Sequence, residues 1–194
     1  MEYIKNPILK GFNPDPSIVR VGDDFYIATS TFEWYPGVQI HHSRDLIHWQ
    51  LVARPLKRAS QLNMLGEDNS LGVWAPCLSY CEGMFYLVYT DTRMNGIPNN
   101  YVVMTRNILG DWSDPVYLNS RGFDPSFFHD QDGRTYYLTM YYDHIAWHKL
   151  IALNGATELT PSLEEMLKQY HRMDKGRPLF KGILIQEFDR MTGE

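Results

Sequence analysis

Short apolar runs separated by polar turns dominate this chain up to Met140. From Asp15 to Ser30, DPSIVRVGDDFYIATS places one apolar run before a Gly-Asp-Asp turn and another after it. Two such runs about a tight polar turn predict a β-hairpin. The same grammar returns as APCLSYCEGMFYLVYTD from Ala75 to Asp91, and as DPSFFHDQDGRTYYLTM from Asp124 to Met140. Each copy has Pro second, then a turn combining Gly with an acidic residue, then an apolar run containing Tyr.

A second motif follows the first two hairpins. VQIHHSRDLIHWQLV and YVVMTRNILGDWSDPVYL both put an alternating strand before a polar turn and a Trp that leads into another strand. Each unit therefore predicts four strands in about 45–50 residues, the size of a β-propeller blade. A β-sandwich also yields many short strands, but repetition of a whole four-strand unit favours the propeller. The expected blades are residues 12–60, 72–120 and 122–194. The third is interrupted by an insertion at about 145–181. Within it, TPSLEEMLKQYHRM predicts a helix, with Pro161 at its first position and Ser162 and Glu165 as a capping box. Leu163, Met166, Leu167 and Tyr170 form its core-facing stripe. Propellers close with at least about four blades, and these 194 residues carry about three.

Composition narrows the function. The net charge of −5, without a basic cluster, argues against a nucleic-acid partner. No apolar run is long enough for a membrane span, and MEYIKNPILKGF has no secretory leader pattern. The expected compartment is the cytoplasm. Cys77 and Cys81 are the two cysteines; without a His or Cys cluster they predict structural thiols, not a disulfide framework or a zinc site. No metal or cofactor is expected. Aromatic residues make up 14% of the chain, which suits both strands and sugar faces.

Asp15 and Asp124 open the first and third hairpins, and Pro16 and Pro125 restrict the backbone beside each. If the opening strand is innermost in its blade, both carboxylates face one axial pocket. Paired carboxyls can deprotonate water, protonate a leaving oxygen and tune each other's pKa. The competing reading is structural: Asp before Pro commonly caps a turn through nearby backbone N–H groups. The middle copy keeps the hairpin grammar with Ala75 in the Asp position, so the turn does not demand the carboxylate.

NPILKGFNPDPSIVRVGDDFYIATSTFEWYPGVQIHHSRDLIHW, RPLKRASQLNM, GVWAPCLSY, WSDPVYLNSRGFDPSFFHDQDGRTYYLTMYYDH and GILIQEFD occur in this order. Together they resemble the N-terminal part of glycoside hydrolase family 43 β-xylosidases, over nearly the whole chain except about residues 145–181. The resemblance implies a five-bladed β-propeller and an inverting exo-hydrolase acting on xylo-oligosaccharides or arabinoxylan-derived substrates, as β-xylosidase, α-L-arabinofuranosidase or both. It assigns Asp15 as general base and Asp124 as the carboxylate that orients the acid and modulates its pKa. Phe32 and Trp74 match aromatic walls of the sugar pocket. Tyr142 stands in MYYDH where the family usually has Trp, altering a subsite contact. Members of this type often form homo-oligomers. The family's general acid is a Glu in a Glu-Gly-Pro-His or similar motif, which does not occur in these residues, and Glu187 of IQEFD precedes its place. The expectation is a glycoside hydrolase chain lacking the general acid. The alternative is a non-catalytic carbohydrate-binding module or an inactive fragment.

Overall fold

The computed structural model describes residues 3–92, 98–142 and 180–193. Its strands form three antiparallel sheets in chain order. The first contains β1 (Ser17–Val21), β2 (Asp24–Thr29), β3 (Gln39–Ser43) and β4 (Gln50–Ala53). The second contains β5 (Val73–Cys81), β6 (Met84–Asp91), β7 (Asn99–Thr105) and β8 (Val116–Asn119). The third contains β9 (Gly122–His129), β10 (Thr135–Tyr142) and β11 (Phe180–Phe188). The opening strands β1, β5 and β9 pack beside one another, as the innermost strands of adjacent blades do. The helix expected in the insertion at about 145–181 lies outside the described residues, and β11 already begins at Phe180.

The turns follow from their residues. Val21 pairs with Asp24 around Gly22, whose φ of 61° supplies the positive first position of a two-residue turn. Cys81 pairs with Met84 around Glu82 and Gly83, with φ of 49° and 79°. Two positive φ values in succession match the twist of the flanking strands.

Packing explains the continuous apolar writing of MFYLVYT. Along β6, Phe85, Leu87 and Tyr89 join a core with Ala28, Val38 and Ile40 of the first sheet's region. Tyr86 and Val88 point the other way, into a core with Phe127, Tyr137 and Phe188 of the third sheet. A strand buried on both faces has no solvent face to mark with polar residues. The link between the first two sheets is also locked in. Gln61, fully buried, donates to the Trp112 and Ser113 carbonyls at 3.2 and 2.9 Å, and its own carbonyl accepts from the Tyr89 hydroxyl at 2.7 Å. At the outer end of the second and third sheets, Arg190 donates to the Gly133 carbonyl at 2.8 Å and meets Glu82 at 3.1 Å. Cys77 and Cys81 are free thiols on β5 that pack against the second core.

The two Gly-Phe pairs of the sequence are not equivalent. Gly11 has φ of 90° in open space, whereas Gly122 lies where β9 and β10 approach closely. A Cβ at Gly122 would meet the backbone carbonyl of Met140 at 1.8 Å. Gly122→Ala is therefore expected to cost about 1–3 kcal/mol by forcing the two strands apart. Urea unfolding monitored by tryptophan fluorescence measures it, with Gly11→Ala as the milder comparison.

Candidate active site

The three inner strands share one irregularity. In β5, Trp74 pairs with Thr90 and Cys77 with Val88, so Ala75 and Pro76 together oppose Tyr89. In β9, Phe123 pairs with Met140 and Ser126 with Leu138, so Asp124 and Pro125 oppose Thr139. Before β1, Ser30 N–H bonds the Pro14 carbonyl at 3.0 Å while Ser17 pairs with Ala28, so Asp15 and Pro16 oppose Thr29. Each is a two-against-one bulge, the device that re-aims a side chain at the rim of a sheet. Proline suits the second bulge position because it has no N–H to offer the ladder. The first residue is left-handed in all three: φ is 52° at Asp15, 36° at Ala75 and 56° at Asp124. Asp is found in this region several times more often than Ala, which bears the steric cost without relief.

The bulges bring Asp15, Ala75 and Asp124 together around one open cavity of about 310 Å³, also lined by Ser17, Pro76 and Cys77. The carboxylates are not turn caps: among the described residues, no backbone N–H donates to either. The contrast is with Asp45, which accepts from the N–H groups of Ile47 and His48 at 2.9 and 2.8 Å, and with Asp189, which accepts from that of Met191 at 2.7 Å. Asp15 instead accepts from the Ser30 hydroxyl at 2.7 Å. Ser30 Oγ in turn accepts from the Ala75 N–H at 2.8 Å, tying the first sheet to the second. Ser17 repeats the tie by accepting from the Leu78 N–H at 3.0 Å. Met140 occupies Ser30's place in the third hairpin, so Asp124 receives no corresponding hydroxyl. Partial loss of hydration, and next the charge of Asp15, raise the Asp124 pKa above the usual carboxylate value. Burial likewise raises that of the Cys77 thiol.

Neither Trp74 nor Phe32 is among the residues that line this cavity. Trp74 precedes Ala75, packs edge-on against Phe123 with centroids 5.9 Å apart, and donates its indole N–H to the Ser70 carbonyl at 2.9 Å. Phe32 exchanges backbone bonds of 3.2 and 3.1 Å with Val73, and its ring meets Phe12 at 5.8 Å. Phe12 also lies 5.8 Å from Trp34, which is 63% exposed. The backbone of Tyr142 closes β10 against Phe180, while its side chain lies outside the described residues. Glu187 on β11 lines a different cavity, with Glu82 and Arg190, at the far end of the hairpins. Among the described residues no three His, Cys, Asp or Glu side chains gather to hold a metal ion.

Ser30, Ser17 and Phe12 were not singled out by the sequence. A signal for Ser30 existed: Asp15 and Ser30 are the first and last residues of the first hairpin, so a regular register about the two-residue turn at Gly22 would set them opposite each other, and the bulge moves Ser30 by only one residue, to face Pro14.

The model of the glycosyl hydrolases family 43 matches residues 4–182. The chain belongs to that family. It is 52% identical over 199 aligned residues to a xylosidase/arabinosidase 43B from Humicola insolens, covering all of this chain and 31% of that protein. A β-xylosidase of Bacillus subtilis strain 168 is 62% identical over 145 residues, covering 73% of this chain and 27% of the relative. The crystal structure of a xylan β-1,4-xylosidase from Bacillus halodurans C-125 superposes with a TM-score of 0.76 at 52% identity, covering 97% of this chain and 31% of that one. The chain thus spans about a third of the length of these relatives. Family 43 structures are five-bladed β-propellers, and the three sheets here are part of such a ring.

Two outcomes test the site's physics. Ala75→Gly removes a left-handed penalty of about 1–2 kcal/mol and adds about 0.5–1 kcal/mol of backbone entropy cost. The expected net gain in stability, up to about 1.5 kcal/mol, is read by thermal unfolding. In Asp15→Asn, the Asp124 carboxyl is expected to titrate at lower pH by carbon NMR, though not at the ordinary value, because loss of hydration is the larger cause of its shift.

Proposed function

We propose that this chain is the base-bearing part of an inverting glycoside hydrolase that removes terminal xylosyl or arabinosyl units from xylo-oligosaccharides and arabinoxylan fragments. One observation carries the reading: the two carboxyls converge on a single cavity through repeated bulges, and neither is used to cap its own turn. In this scheme Asp15, oriented by the Ser30 hydroxyl, takes a proton from the attacking water. The water oxygen bonds the anomeric carbon from the face opposite the leaving group, and the glycosidic C–O bond breaks. A Glu acid outside these residues gives its proton to the leaving oxygen. Asp124 orients that acid, and its charge holds the acid's proton on at neutral pH. Phe32 and Trp74, with Tyr142 from β10, bound the sugar on its apolar faces. The named activities of the Humicola insolens and Bacillus subtilis relatives support this substrate class.

The exposed Phe12–Trp34 pair favours one second reading, a module that binds sugar without cleaving it. The purified 194-residue chain is expected to release 4-nitrophenol from 4-nitrophenyl β-xyloside or α-arabinofuranoside at close to the uncatalysed rate. Loss of a general acid alone costs about 10²–10⁴ in rate. Strong turnover that Asp15→Asn abolishes would place the acid within these residues and overturn that part of the scheme. Saturable xylobiose binding without turnover would favour the binding module.

A further inference from the structure

Another cavity, of about 480 Å³, opens between the first and second sheets at the opposite end of the inner strands. The five residues of β1 carry the chain from the Asp15 bulge to its wall at Val21 and Asp24, roughly 17 Å away. Its size lies in the ordinary range for small-molecule sites.

Its floor is aromatic. Tyr26 meets Phe85 edge-on at 5.6 Å, and Tyr80 tilts against Phe85 at 4.7 Å. Its rim is polar and specifically arranged. Asp24 Oδ1 accepts from Arg44 Nε at 2.8 Å and lies 2.7 Å from His42 Nε2. Both contacts use the same oxygen, so Oδ2 keeps its lone pairs for a hydroxyl donor. Arg44 is engaged through Nε, so its two terminal nitrogens still have N–H groups to offer. Arg106 also lines the cavity, and among the described residues no hydrogen bond or ion pair holds its guanidinium. Those two contacts hold the Asp24 pKa below its usual value, so the carboxylate stays ionised at neutral pH.

The wall therefore presents two guanidiniums, one carboxylate and flat rings. Two cations against one anion leave the wall with a net positive charge, which suits an anionic ligand that also carries a hydroxyl for Asp24. The free carboxylate oxygen asks for a hydroxyl, and tyrosine rings suit the C–H face of a pyranose. Guanidinium recognises a carboxylate through paired N–H bonds. We propose that this cavity is a second sugar site, separate from the Asp15 cavity, that binds a uronic acid. Its carboxylate faces Arg44 and Arg106, and a hydroxyl donates to Asp24.

The test is a titration of the 194-residue chain with glucuronic acid, followed by tyrosine and arginine side-chain NMR. Xylose, inorganic phosphate and sodium chloride serve as probes of the neutral sugar, the dianion and plain ionic strength. Saturable shifts of Tyr26 and Arg106 with glucuronic acid are expected, with xylose and phosphate each weaker by about tenfold or more. Arg106→Gln is expected to weaken glucuronic acid by about tenfold while leaving the melting temperature and the response to xylose unchanged. A xylo-oligosaccharide with a glucuronosyl branch separates the two sources of the ligand. Tighter binding than the free acid makes the ligand a decoration on a chain; equal binding makes it the monosaccharide. Absence of saturation with either acid, phosphate binding as well as glucuronic acid, or unchanged affinity in Arg106→Gln would each overturn the proposal.

Discussion

The site depends on a constraint of the backbone. An inner strand in regular β pairing would alternate its side chains between the two faces of its blade and send none along the axis. The bulge at Asp15–Pro16, Ala75–Pro76 and Asp124–Pro125 breaks that alternation once per blade, at the end where the strands converge. A left-handed residue followed by proline turns the chain so that one side chain leaves the plane of the sheet. Pairing resumes directly afterwards at Ser17, Cys77 and Ser126, so the cost stays local.

The second sheet makes those three bulges a single cavity. Because β6 is buried on both faces, the middle blade is gripped by two cores at once, and its neighbours cannot shift independently. Polar bonds then set the fine position. Ser30 reaches from the first sheet to Asp15 on one side and to the Ala75 N–H on the other. One hydroxyl thus fixes both the orientation of a carboxylate and the spacing of two blades. The left-handed strain at Ala75 is carried by this packed blade, where burial on both sides outweighs a penalty of about 1–2 kcal/mol.

Local grammar was legible in the sequence, and long-range pairing less so. Hairpins announced themselves through tight polar turns between apolar runs, and the order of sheets follows from sequential antiparallel pairing. The bulges did not, because an extra residue is visible only against its partner strand, and DPS alone reads as a turn. Ser30 was hidden for the same reason, although hairpin symmetry about Gly22 points to it. The Gly-Phe pairs at Gly11–Phe12 and Gly122–Phe123 precede the two Asp-Pro-Ser stretches at different spacings. In the first copy Phe12 lies three residues before Asp15; in the third, Phe123 immediately precedes Asp124. Trp74, not Phe12, is the positional equivalent of Phe123, and these two pack together. The Asp24, His42 and Arg44 cluster joins the start of β2 to the end of β3 through side-chain reach, which spacing along a chain does not encode.

The middle repeat argues most strongly about the carboxylates. If left-handed geometry alone selected Asp, the residue at 75 would be Asp, Asn or Gly as well, since each fits that region better than Ala. Ala75 holds the same conformation at φ 36° without such help. The bulge therefore explains why Asp is tolerated at 15 and 124, not why a carboxylate stands there. Turn capping fails as an explanation too, since aspartates elsewhere in the chain do cap, by accepting backbone N–H groups, and these two do not. What remains is the arrangement itself: two carboxyls that share a cavity, one held by a serine and the other raised in pKa by lost hydration and by its neighbour. Placing like charges together costs stability. An uncharged residue at the third equivalent position keeps that repulsion to one pair and leaves the wall between them open.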